Sequence, residues 1–528
     1  MLHENREVPM SLVDDGAARR TGKAWSHKPV MNEMGKSDEP IVPVKRPNKA
    51  ARVVAEAVEG RGEAKGNAAK RNADRTQSRS SPAHNELDRV RSRARRDKEA
   101  KFTALLHYIT VERLRMAFTQ LKRNAAPGVD GMTWEQYGER LEENLRELHA
   151  RLHRGAYRAK PSRRTYIPKA DGRQRPLGIA SLEDKLLQRA VVEVMNAIYE
   201  EDFLGFSYGF RPGRGQHDAL DALAVGITRR KVNWVLDADI RGFFDTIDHG
   251  WLMKFVEHRV GEHRLLRLIQ KWLNAGVMEN GKWTESKVGS PQGATVSPLL
   301  ANIYLHYVLD LWAHQWRKRT ARGEVVVVRY ADDFVVGFEN EEDGRQFLED
   351  LRERLRKFKL ELHSDKTRLI EFGRYVNTKR LRRGERGAAE TFRFLGLVHI
   401  CGKSRRGGFL LTRHTDSKRM RATLQALKGA MARRRHDPVD EQGRWLGSIV
   451  RGYFAYHAVP TNNRIIGRFR TEVIRAWAKS LRRRSQRHRL NWKRMTRLAD
   501  RWLPPAKTQH PRPDERFYAK TRGGSPVR

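Results

Sequence analysis

Cysteine is almost missing from this sequence of 528 residues, which contains only Cys401. One thiol cannot form an intrachain disulfide or a cysteine-rich zinc site, so zinc fingers and disulfide-linked secreted scaffolds are excluded. Long apolar runs are missing as well, because no stretch approaches the roughly 18 apolar residues of a membrane span. The first residues lack the apolar centre of a secretory signal. We therefore expect a cytoplasmic, intracellular protein with no membrane partner.

Acidic residues are scarce relative to basic ones. The chain contains 106 Lys and Arg residues against 63 Asp and Glu, which gives a formal net charge of +43 and a pI near 10.8. A compact protein with this charge repels itself strongly unless it works beside a polyanion. The composition therefore predicts a nucleic acid as the partner and argues against an ordinary metabolic enzyme acting on small anions.

Residues 1–100 contain a single aromatic residue, Trp25. Such a segment buries too little apolar surface to offset the entropy of ordering, so we expect a mostly disordered basic arm with a helix near Glu86–Lys101. From Phe102 onward, apolar residues recur at helical and strand spacings. The predicted helices cover Trp134–Arg154, Leu182–Tyr199, Trp251–Val260, His263–Ala275, Pro298–Trp316 and 343–362. The predicted strands cover Arg164–Pro168, Val232–Ile240, Val325–Arg329, Phe334–Phe338 and Phe392–Ile400, and the chain beyond about residue 415 is predicted to be helical.

The tetrad Tyr330-Ala-Asp-Asp333 lies between two apolar, β-branched segments. These flanks are expected to pair as buried strands, which places two adjacent carboxylates at the tip of a hairpin. Adjacent anions at such a place repel each other and are not both comfortably ionised without a cation. The alternative is a solvated Asp-Asp turn without a function.

A second acidic segment, with Asp237 and Asp239, ends an earlier apolar strand. Period-2 alternation puts both residues on one face, so spacing alone does not choose between them. A carboxylate in an apolar strand is costly to bury unless it is paired or metal-bound. Three carboxylates from two strands suit two Mg²⁺ ions, which prefer oxygen ligands and substrate phosphates. Such a pair activates a 3′-hydroxyl and stabilises departing pyrophosphate, so the pattern predicts nucleotidyl transfer.

Taken together and in order, the motifs resemble the reverse transcriptase–maturase proteins encoded by group II introns, over roughly residues 105–500. The Tyr-Ala-Asp-Asp tetrad is similar to the palm motif of reverse transcriptases, and Asp239-Ile-Arg-Gly-Phe-Phe-Asp245 is similar to the palm motif that precedes it. The resemblance implies a catalytic and metal-binding set: Asp239, Asp332 and Asp333, with the backbone carbonyl of Ile240 as a further ligand. Asp237 then drops out, and two Mg²⁺ ions are the implied cofactors.

Other motifs are similar to the family's nucleotide pocket. Tyr166-Ile-Pro-Lys169 and Arg175-Pro-Leu-Gly-Ile179 resemble the segment that grips the incoming triphosphate, and a lysine point charge and an arginine fork both suit phosphate oxygens. Gly289-Ser-Pro-Gln-Gly293 resembles the loop that floors the pocket. The implied dNTP-binding residues are Lys169, Arg175, Ile240, Phe243, Phe244 and Gln292.

Two of these assignments keep alternatives open. Phe244 is favoured over Phe243 for stacking under the ribose, and the alternative for either ring is core packing. Lys366 lies in His363-Ser-Asp-Lys-Thr367, which is similar to the block near the departing pyrophosphate. The resemblance implies that Lys366 is a catalytic proton donor, and the alternative is an exposed lysine without such a role.

Three segments are candidates for binding nucleic acid. Arg211 lies in a motif similar to the family's next block and is expected to bind template backbone or, equally, to be a structural ion-pair partner. Arg451-Gly-Tyr-Phe-Ala-Tyr456 resembles the core of the thumb, although Ala455 replaces the polar residue usual there. The basic run after Leu481 suits phosphate contact with base stacking. The candidate residues are Arg211, Arg451, Arg482, Arg483, Arg484, Arg487, Arg489 and Lys493.

The fold that the resemblance implies is α+β: a right-hand polymerase, with fingers and a palm that contains a small antiparallel sheet, followed by an all-helical thumb or maturase domain. The expected domains are the arm (1–100), fingers (101–235), palm (236–410), thumb or maturase domain (411–480) and a basic nucleic-acid-binding tail (481–528).

The function that the resemblance implies is an RNA-directed DNA polymerase of a group II intron that also acts as a maturase, binding intron RNA to assist splicing and mobility. Its expected partners are intron RNA, an RNA template, a DNA primer or target, and dNTPs, whereas the oligomeric state is not determined. Two alternatives stay open. One is a reverse transcriptase of a retron, a diversity-generating element or a defence system, and the other is a non-catalytic RNA-binding splicing factor.

Overall fold

The computed structural model of the protein describes residues 82–168, 174–286, 288–290, 293–485 and 490–521. Within these ranges helices alternate with three small sheets as far as Thr415, and only helices follow. The mixed helix-and-sheet class expected from the sequence is therefore confirmed. None of the described helices is both long and apolar enough to cross a membrane.

The helices are α1 (Pro82–Arg96), α2 (Val111–Gln120), α3 (Trp134–Glu139), α4 (Leu141–His153), α5 (Leu182–Asp202), α6 (Gln216–Arg229), α7 (Phe243–Thr246), α8 (His249–Arg259), α9 (His263–Asn274), α10 (Ser297–Leu305), α11 (Leu311–Arg319), α12 (Glu341–Lys357), α13 (Val376–Arg382), α14 (Ser417–Arg433), α15 (Val439–His457), α16 (Asn463–Arg482), α17 (Trp492–Trp502) and α18 (Pro513–Thr521). The strands are β1 (Ser162–Pro168), β2 (Gln174–Ile179), β3 (Trp234–Ala238), β4 (Val277–Glu279), β5 (Lys282–Thr284), β6 (Val325–Tyr330), β7 (Asp333–Phe338), β8 (Arg368–Glu371), β9 (Phe392–Phe394), β10 (Leu397–Lys403) and β11 (Phe409–Thr415). Short 3₁₀ turns cover Leu106–Tyr108 and Ser364–Lys366, and a π-helical turn covers His306–Asp310.

The central sheet has the strand order β6-β7-β3-β8, and every neighbouring pair is antiparallel. Its interior strands are built from valine and phenylalanine, whose branched or aromatic side chains fit a buried pleated surface. The chain reverses between β6 and β7 in a two-residue turn, with Tyr330 paired to Asp333. Ala238 at the end of β3 pairs with Phe334 at the start of β7. The acidic turn and the end of β3 therefore lie at the same end of the sheet.

Two smaller sheets flank this one in the chain. One has the order β2-β1-β4-β5 with a parallel β1–β4 pair, and the other is an antiparallel meander, β11-β10-β9. The single strand predicted over Phe392–Ile400 is wrong, because it is two strands. Leu395 and Gly396 have positive φ angles of 47° and 75°, and they turn the chain so that Leu397 pairs with Phe394.

One predicted helix is also divided. The segment Trp134–Arg154 forms α3 and α4, and Arg140 between them has φ −123° and ψ 44°, outside the helical region. Gly138 in the last turn of α3 weakens the helix, since glycine costs about 1 kcal/mol relative to alanine. The Asn144 side-chain amide donates to the Tyr137 carbonyl at 3.0 Å and so satisfies one of the backbone groups that the break releases.

The two ends of the described chain are packed against the body. The helix expected near Glu86–Lys101 is present as α1. Its Leu87, Val90 and Ala94 are buried in the hydrophobic core that also contains Leu186 of α5 and Leu300 of α10, which we call the first core. Beyond residue 481, where a tail was expected, α17 buries Met495 with α14–α16 and α18 buries Phe517 against α6. These apolar residues recur at helical spacing but are hidden among many cations, which is why composition alone indicated a tail.

Candidate functional site

The predicted carboxylates converge at one end of the central sheet. Asp332 lies in the turn between β6 and β7, Asp333 is the first residue of β7, and Asp239 directly follows the last residue of β3, which pairs with the neighbour of Asp333. Paired Cα atoms across antiparallel strands are about 4.5–5.5 Å apart. Three carboxylates from two sequence motifs are therefore brought into one acidic cluster, although the motifs are far apart in the chain.

Electrostatics distinguish the cluster from its neighbour Asp237. Desolvation, with repulsion from Asp239, raises the pKa of Asp332. Desolvation, with repulsion from Asp332 and Asp239, raises the pKa of Asp333 to about 7, although one side of Asp333 is open to solvent. Burial also raises the pKa of Asp237, to about 6, but this carboxylate has a local cation, Arg368, at 3.7 Å. Asp237 is thus balanced by its own partner, whereas the cluster has an excess of negative charge.

Lys366 provides one positive charge at the cluster. Its ammonium nitrogen lies 2.5 Å from Oδ2 of Asp239 and remains half-exposed. The 3₁₀ turn that carries Lys366 is joined to the end of β3, because the His363 amide donates to the Asp239 carbonyl at 2.8 Å. The sequence motifs of Asp239 and Lys366 are therefore neighbours in the fold.

The cluster fits a divalent cation only with help from a substrate. Among the described residues, no three His, Cys, Asp or Glu side chains form a metal-binding group by themselves. Mg²⁺ is typically held by one or two carboxylates plus substrate phosphates, which matches two repelling aspartates beside a third that faces Lys366. The Asp239 carbonyl and the Arg241 amide, on either side of Ile240, bond to the segment Glu361–His363, so backbone alternation directs the Ile240 carbonyl away from that segment. Asp239, Ile240, Asp332 and Asp333 thus stay the predicted ligands.

The two phenylalanines of the second motif have different environments. Phe243 is buried in the first core, with its ring 6.3 Å from that of Tyr304. Phe244 is only partly buried, and its carbonyl accepts from the Ser290 amide at 2.8 Å. Gly289 packs so closely there that a Cβ atom would lie 2.9 Å from the Phe244 carbonyl oxygen. These contacts favour Phe244, not Phe243, as the ring that can face a nucleotide.

The predicted pocket loop also contacts the strand that carries Arg175. Gly293 has a φ of 108°, and a Cβ atom there would lie 2.6 Å from the Gly178 carbonyl oxygen of β2. The exposed Arg175, on the same strand, acts on the acidic cluster, because its positive charge lowers the pKa of Asp332 against the effect of desolvation. Lys169 and Gln292 lie outside the described residues.

A buried arginine that the sequence reasoning missed holds the acidic turn. Arg329 is fully buried and uses all five of its N–H donors. Its guanidinium donates to both carboxylate oxygens of Asp310 at 2.7 and 2.5 Å, to Asn302 Oδ1 at 3.0 Å, to Ser207 Oγ at 2.8 Å and to the Ala331 carbonyl at 2.9 Å. We call these five residues the Arg329 network. In the sequence, Arg329 follows four valines of an apolar strand, and a charged residue at such a place needs a buried partner. This pattern is the signal that would have indicated the network.

The network matters because Ala331 is strained. Its φ of 59° is in the left-handed region, which costs a residue with a Cβ atom about 1–2 kcal/mol. Gly209 lies against the turn, since a Cβ atom there would be 2.2 Å from the Ala331 nitrogen, and the Asn302 amide donates to the Gly209 carbonyl at 2.7 Å. Arg329 and Gly209 thus contact the turn from two sides and fix the position of the next residue, Asp332.

Arg211 does not face a nucleic acid, and its prediction as a template contact is wrong. The side chain is buried, lies 3.0 Å from a carboxylate oxygen of Glu200 and donates at 2.8 Å to the carbonyls of Leu204 and Ser207. The structural alternative is correct. Arg211 fixes the backbone of the segment whose Ser207 joins the Arg329 network.

The other nucleic-acid candidates differ in exposure and in local contacts. Arg451, Arg483 and Lys493 are exposed. Arg482 donates through Nε to the Leu490 carbonyl at 3.2 Å, and Arg484 donates to the Asp437 carbonyl, so both have local contacts. Arg487 and Arg489 lie outside the described residues. All of these residues remain predictions for binding nucleic acid.

Comparison with known proteins agrees with the geometry. Residues 167–399 match the family model described as reverse transcriptase (RNA-dependent DNA polymerase). Protein YkfC of Escherichia coli is 34% identical over 306 residues, covering 50% of this chain and 79% of YkfC. Group II intron-encoded protein LtrA of Lactococcus lactis is 35% identical over 231 residues, covering 43% of this chain and 38% of LtrA. Nuclear intron maturase 3, mitochondrial, of Arabidopsis thaliana is 28% identical over 130 residues, 24% of this chain and 18% of its own length.

The matched region begins in β1 and ends in β10, and it contains the acidic cluster, Lys366 and the whole Arg329 network. The chain covers most of one relative but little more than a third of LtrA. The family match, the extent of the likeness to YkfC and the three converging carboxylates agree that the chain belongs to the reverse transcriptase family.

Proposed function

We propose that the protein is the RNA-directed DNA polymerase and maturase of a group II intron. The observation that carries the proposal is the convergence of Asp239, Asp332 and Asp333 at one end of the central sheet, in a chain of this family. The polymerase adds dNTPs to the 3′-hydroxyl of a DNA primer on an RNA template.

The described residues have distinct roles in this proposal. Asp239, Asp332 and Asp333, with the Ile240 carbonyl, would hold two Mg²⁺ ions, and such ions would supply activation of the 3′-hydroxyl and charge stabilisation of the departing pyrophosphate. Arg175, exposed on β2 and acting on the acidic cluster, binds triphosphate oxygens. Phe244 faces the sugar. These assignments extend to Lys169 and Gln292 as further dNTP contacts.

Lys366 has two roles in turn. Before substrate binds, it neutralises Asp239, to which it is paired at 2.5 Å. When Asp239 no longer pairs with it, the Lys366 ammonium group turns toward the triphosphate and donates a proton to the pyrophosphate as it departs. A half-exposed lysine on a short turn can make this exchange because its stem is flexible.

The domain assignment is part of the proposal. Residues 101–235 form the fingers, 236–410 the palm around the central sheet, and 411–480 the helical thumb or maturase domain. Two features support a folded region that extends beyond residues 101–480: α1 packs on the first core, and α17 packs with the thumb helices. Residues 481–521 are accordingly assigned to the thumb as well as to nucleic-acid binding.

The maturase role rests on charge and on relatives. A net charge of +43 suits a large RNA, and relatives carry the names of an intron-encoded protein and an intron maturase. These names do not favour the retron or defence-system alternative. The expected partners are therefore intron RNA, an RNA template and a DNA primer or target.

Primer extension on an RNA template with Mg²⁺ tests the polymerase. We expect Asp239→Asn and Asp332→Asn to reduce extension to the detection limit, because each removes a carboxylate of the cluster. Asp237→Asn is the matched control: it removes a carboxylate two residues away that already has Arg368 as its partner, and it should retain activity within about tenfold, as expected when only a partly exposed ion pair is lost. If the wild type extends nothing yet promotes splicing, the protein is a non-catalytic RNA-binding factor.

A further inference from the structure

Two exposed basic segments lie side by side at the end of the palm opposite the acidic cluster. The first is residues 374–386, around α13, and the second is residues 403–406, at the turn between β10 and β11. The Asn377 side-chain amide of the first segment donates at 3.5 Å to the carbonyl of Cys401, two residues before the second segment on the same strand. We call the two segments together the distal basic surface.

The distance from the acidic cluster follows from the sheet register. β8 leads into residues 374–386 and ends at Glu371, which pairs with Trp234 at the start of β3, whereas Asp239 follows the other end of β3. At about 3.3 Å per residue, Trp234 and Asp239 are roughly 16 Å apart along the strand. β10 likewise runs from Leu397, paired with Phe394, for seven residues to Lys403. The length of β3 therefore separates a nucleotide bound at the cluster from this surface.

Only two of the cations on this surface have counter-ions in the described part of the chain. Arg380 and Arg383 form ion pairs with Glu385, Arg383 also with Glu371. Arg374 donates to the Thr228 carbonyl at 2.9 Å. The other cations are exposed, and within the described part of the chain none of them forms an ion pair: Lys379, Arg382, Arg386, Lys403, Arg405 and Arg406. Such a cluster repels itself, so a bound polyanion would stabilise it.

Apolar residues lie among these cations. Leu381 is 78% exposed and Tyr375 is 52% exposed, and both lie in the first basic segment. Arginine forks bind phosphate oxygens in pairs, and an exposed aromatic ring can stack on a base. A surface that combines both across two adjacent segments matches the backbone of a folded RNA better than it matches a small anion.

We propose that the distal basic surface is a second RNA-binding site, separate from the polymerase cleft, that holds a structured RNA by its phosphates. The inference rests on the proposed function, since it gives the protein a place to hold folded RNA while a primer and template occupy the cleft. An acidic protein at the same surface is the outcome that the test below separates from RNA.

The test uses the full chain with the cleft already saturated by primer and template. The probe is a labelled, closed RNA hairpin, whose binding is measured over a range of salt concentrations. The variant carries Arg382→Gln, Arg386→Gln and Arg405→Gln. We expect it to bind the hairpin about tenfold or more weakly and with a log–log salt slope shallower by about 2 to 3, because each duplex phosphate contact contributes about 0.9. Primer extension should keep its wild-type kcat and KM.

The matched control removes three arginines that have acidic partners: Arg115→Gln, Arg345→Gln and Arg352→Gln, paired with Glu142, Glu341 and Glu349. We expect hairpin binding within about twofold of wild type, since exposed ion pairs leave little free positive charge. Equal slopes and affinities for the wild type and the Arg382 variant would overturn the proposal, whichever other partner the surface has.

A parallel loss of primer extension in the Arg382 variant would also overturn it, because the surface would then belong to the cleft. Failure of the proposed function gives a different result. A wild type that does not extend a primer removes the polymerase, whereas selective loss of hairpin binding in the variant still supports the second site.

Discussion

Arginine has opposite roles at the acidic turn of the central sheet and at the distal basic surface. At the acidic turn, Arg329 is fully buried, and five oxygen acceptors satisfy its five donors. At the distal basic surface, Arg382 and Arg405 are exposed, and neither has an ion pair in the described ranges. The first arginine fixes the shape of the protein, and the others remain available to something outside it. The difference shows that burial and partners, not residue type, decide what a cation does here.

The largest expected effect comes from removing the buried arginine of this comparison, Arg329. We expect Arg329→Met to destabilise the protein by about 3–5 kcal/mol, because Asp310 is left charged and unpaired in the interior. It should also abolish primer extension, since the Ala331 carbonyl loses its donor. Urea denaturation and primer extension measure the two effects.

A double variant separates stability from positioning. Replacing a buried ion pair by apolar residues is often neutral, so Arg329→Met with Asp310→Leu should recover most of the lost stability. It should not recover extension, because the turn still lacks its hydrogen bond. Recovery of both would show that the arginine serves only the stability of the core.

The second prediction concerns a cation that is neither fully buried nor unpaired. We expect Lys366→Gln to lower kcat about 10²-fold with little change in primer–template affinity, as for loss of a general acid. Lys359→Gln is the control, because Lys359 is also an exposed lysine paired with an aspartate, Asp248, at 2.6 Å. Single-turnover extension measures the rate. Equal rates for the two variants would leave Lys366 without a catalytic role.

The smallest expected effect is on how the free energy of unfolding depends on pH, which separates a buried histidine from the exposed arginines. His399 on β10 is fully buried and stacks on Phe392 at 4.6 Å, and burial, followed by the charge of Arg413, lowers its pKa to about 3. A lowered histidine pKa contributes stability that is complete above about pH 6.5, the pKa in the unfolded chain, and that is lost as pH falls toward 3. Exposed arginines do not titrate in this range.

His399→Phe should therefore reduce acid sensitivity. Between pH 7.5 and pH 5, the wild type should lose about 1–2 kcal/mol more unfolding free energy than the variant. Denaturation curves at the two pH values measure the difference, and His436→Gln, at an exposed histidine, is the control. A wild type and a His399→Phe variant with the same pH dependence would contradict a neutral buried histidine.

The sequence located the acidic residues and most elements because these signals are local. Alternation of apolar residues marked β6 and β7, and the motif order placed Asp239 with Asp332. The Arg329 network was missed because its donors and acceptors are far apart in the chain: Ser207 is 122 residues from Arg329. The role of Arg211 was left open between template contact and a structural ion pair for the same reason, since an arginine in a motif does not show whether it will be buried beside Glu200.

Helix α18 has a consequence for the synthesis of the chain. Phe517 completes the core behind the central sheet, and Arg516 and Arg413 both reach Asp221 on α6, at 3.3 and 2.7 Å. Residue 516 leaves the ribosome roughly 300 residues after Asp221, a delay on the order of 15–60 s at the usual rate of translation. During that time α6 has an uncovered apolar face. The part of this core that Phe517 fills is thus completed only near the end of translation, after the acidic cluster has been made.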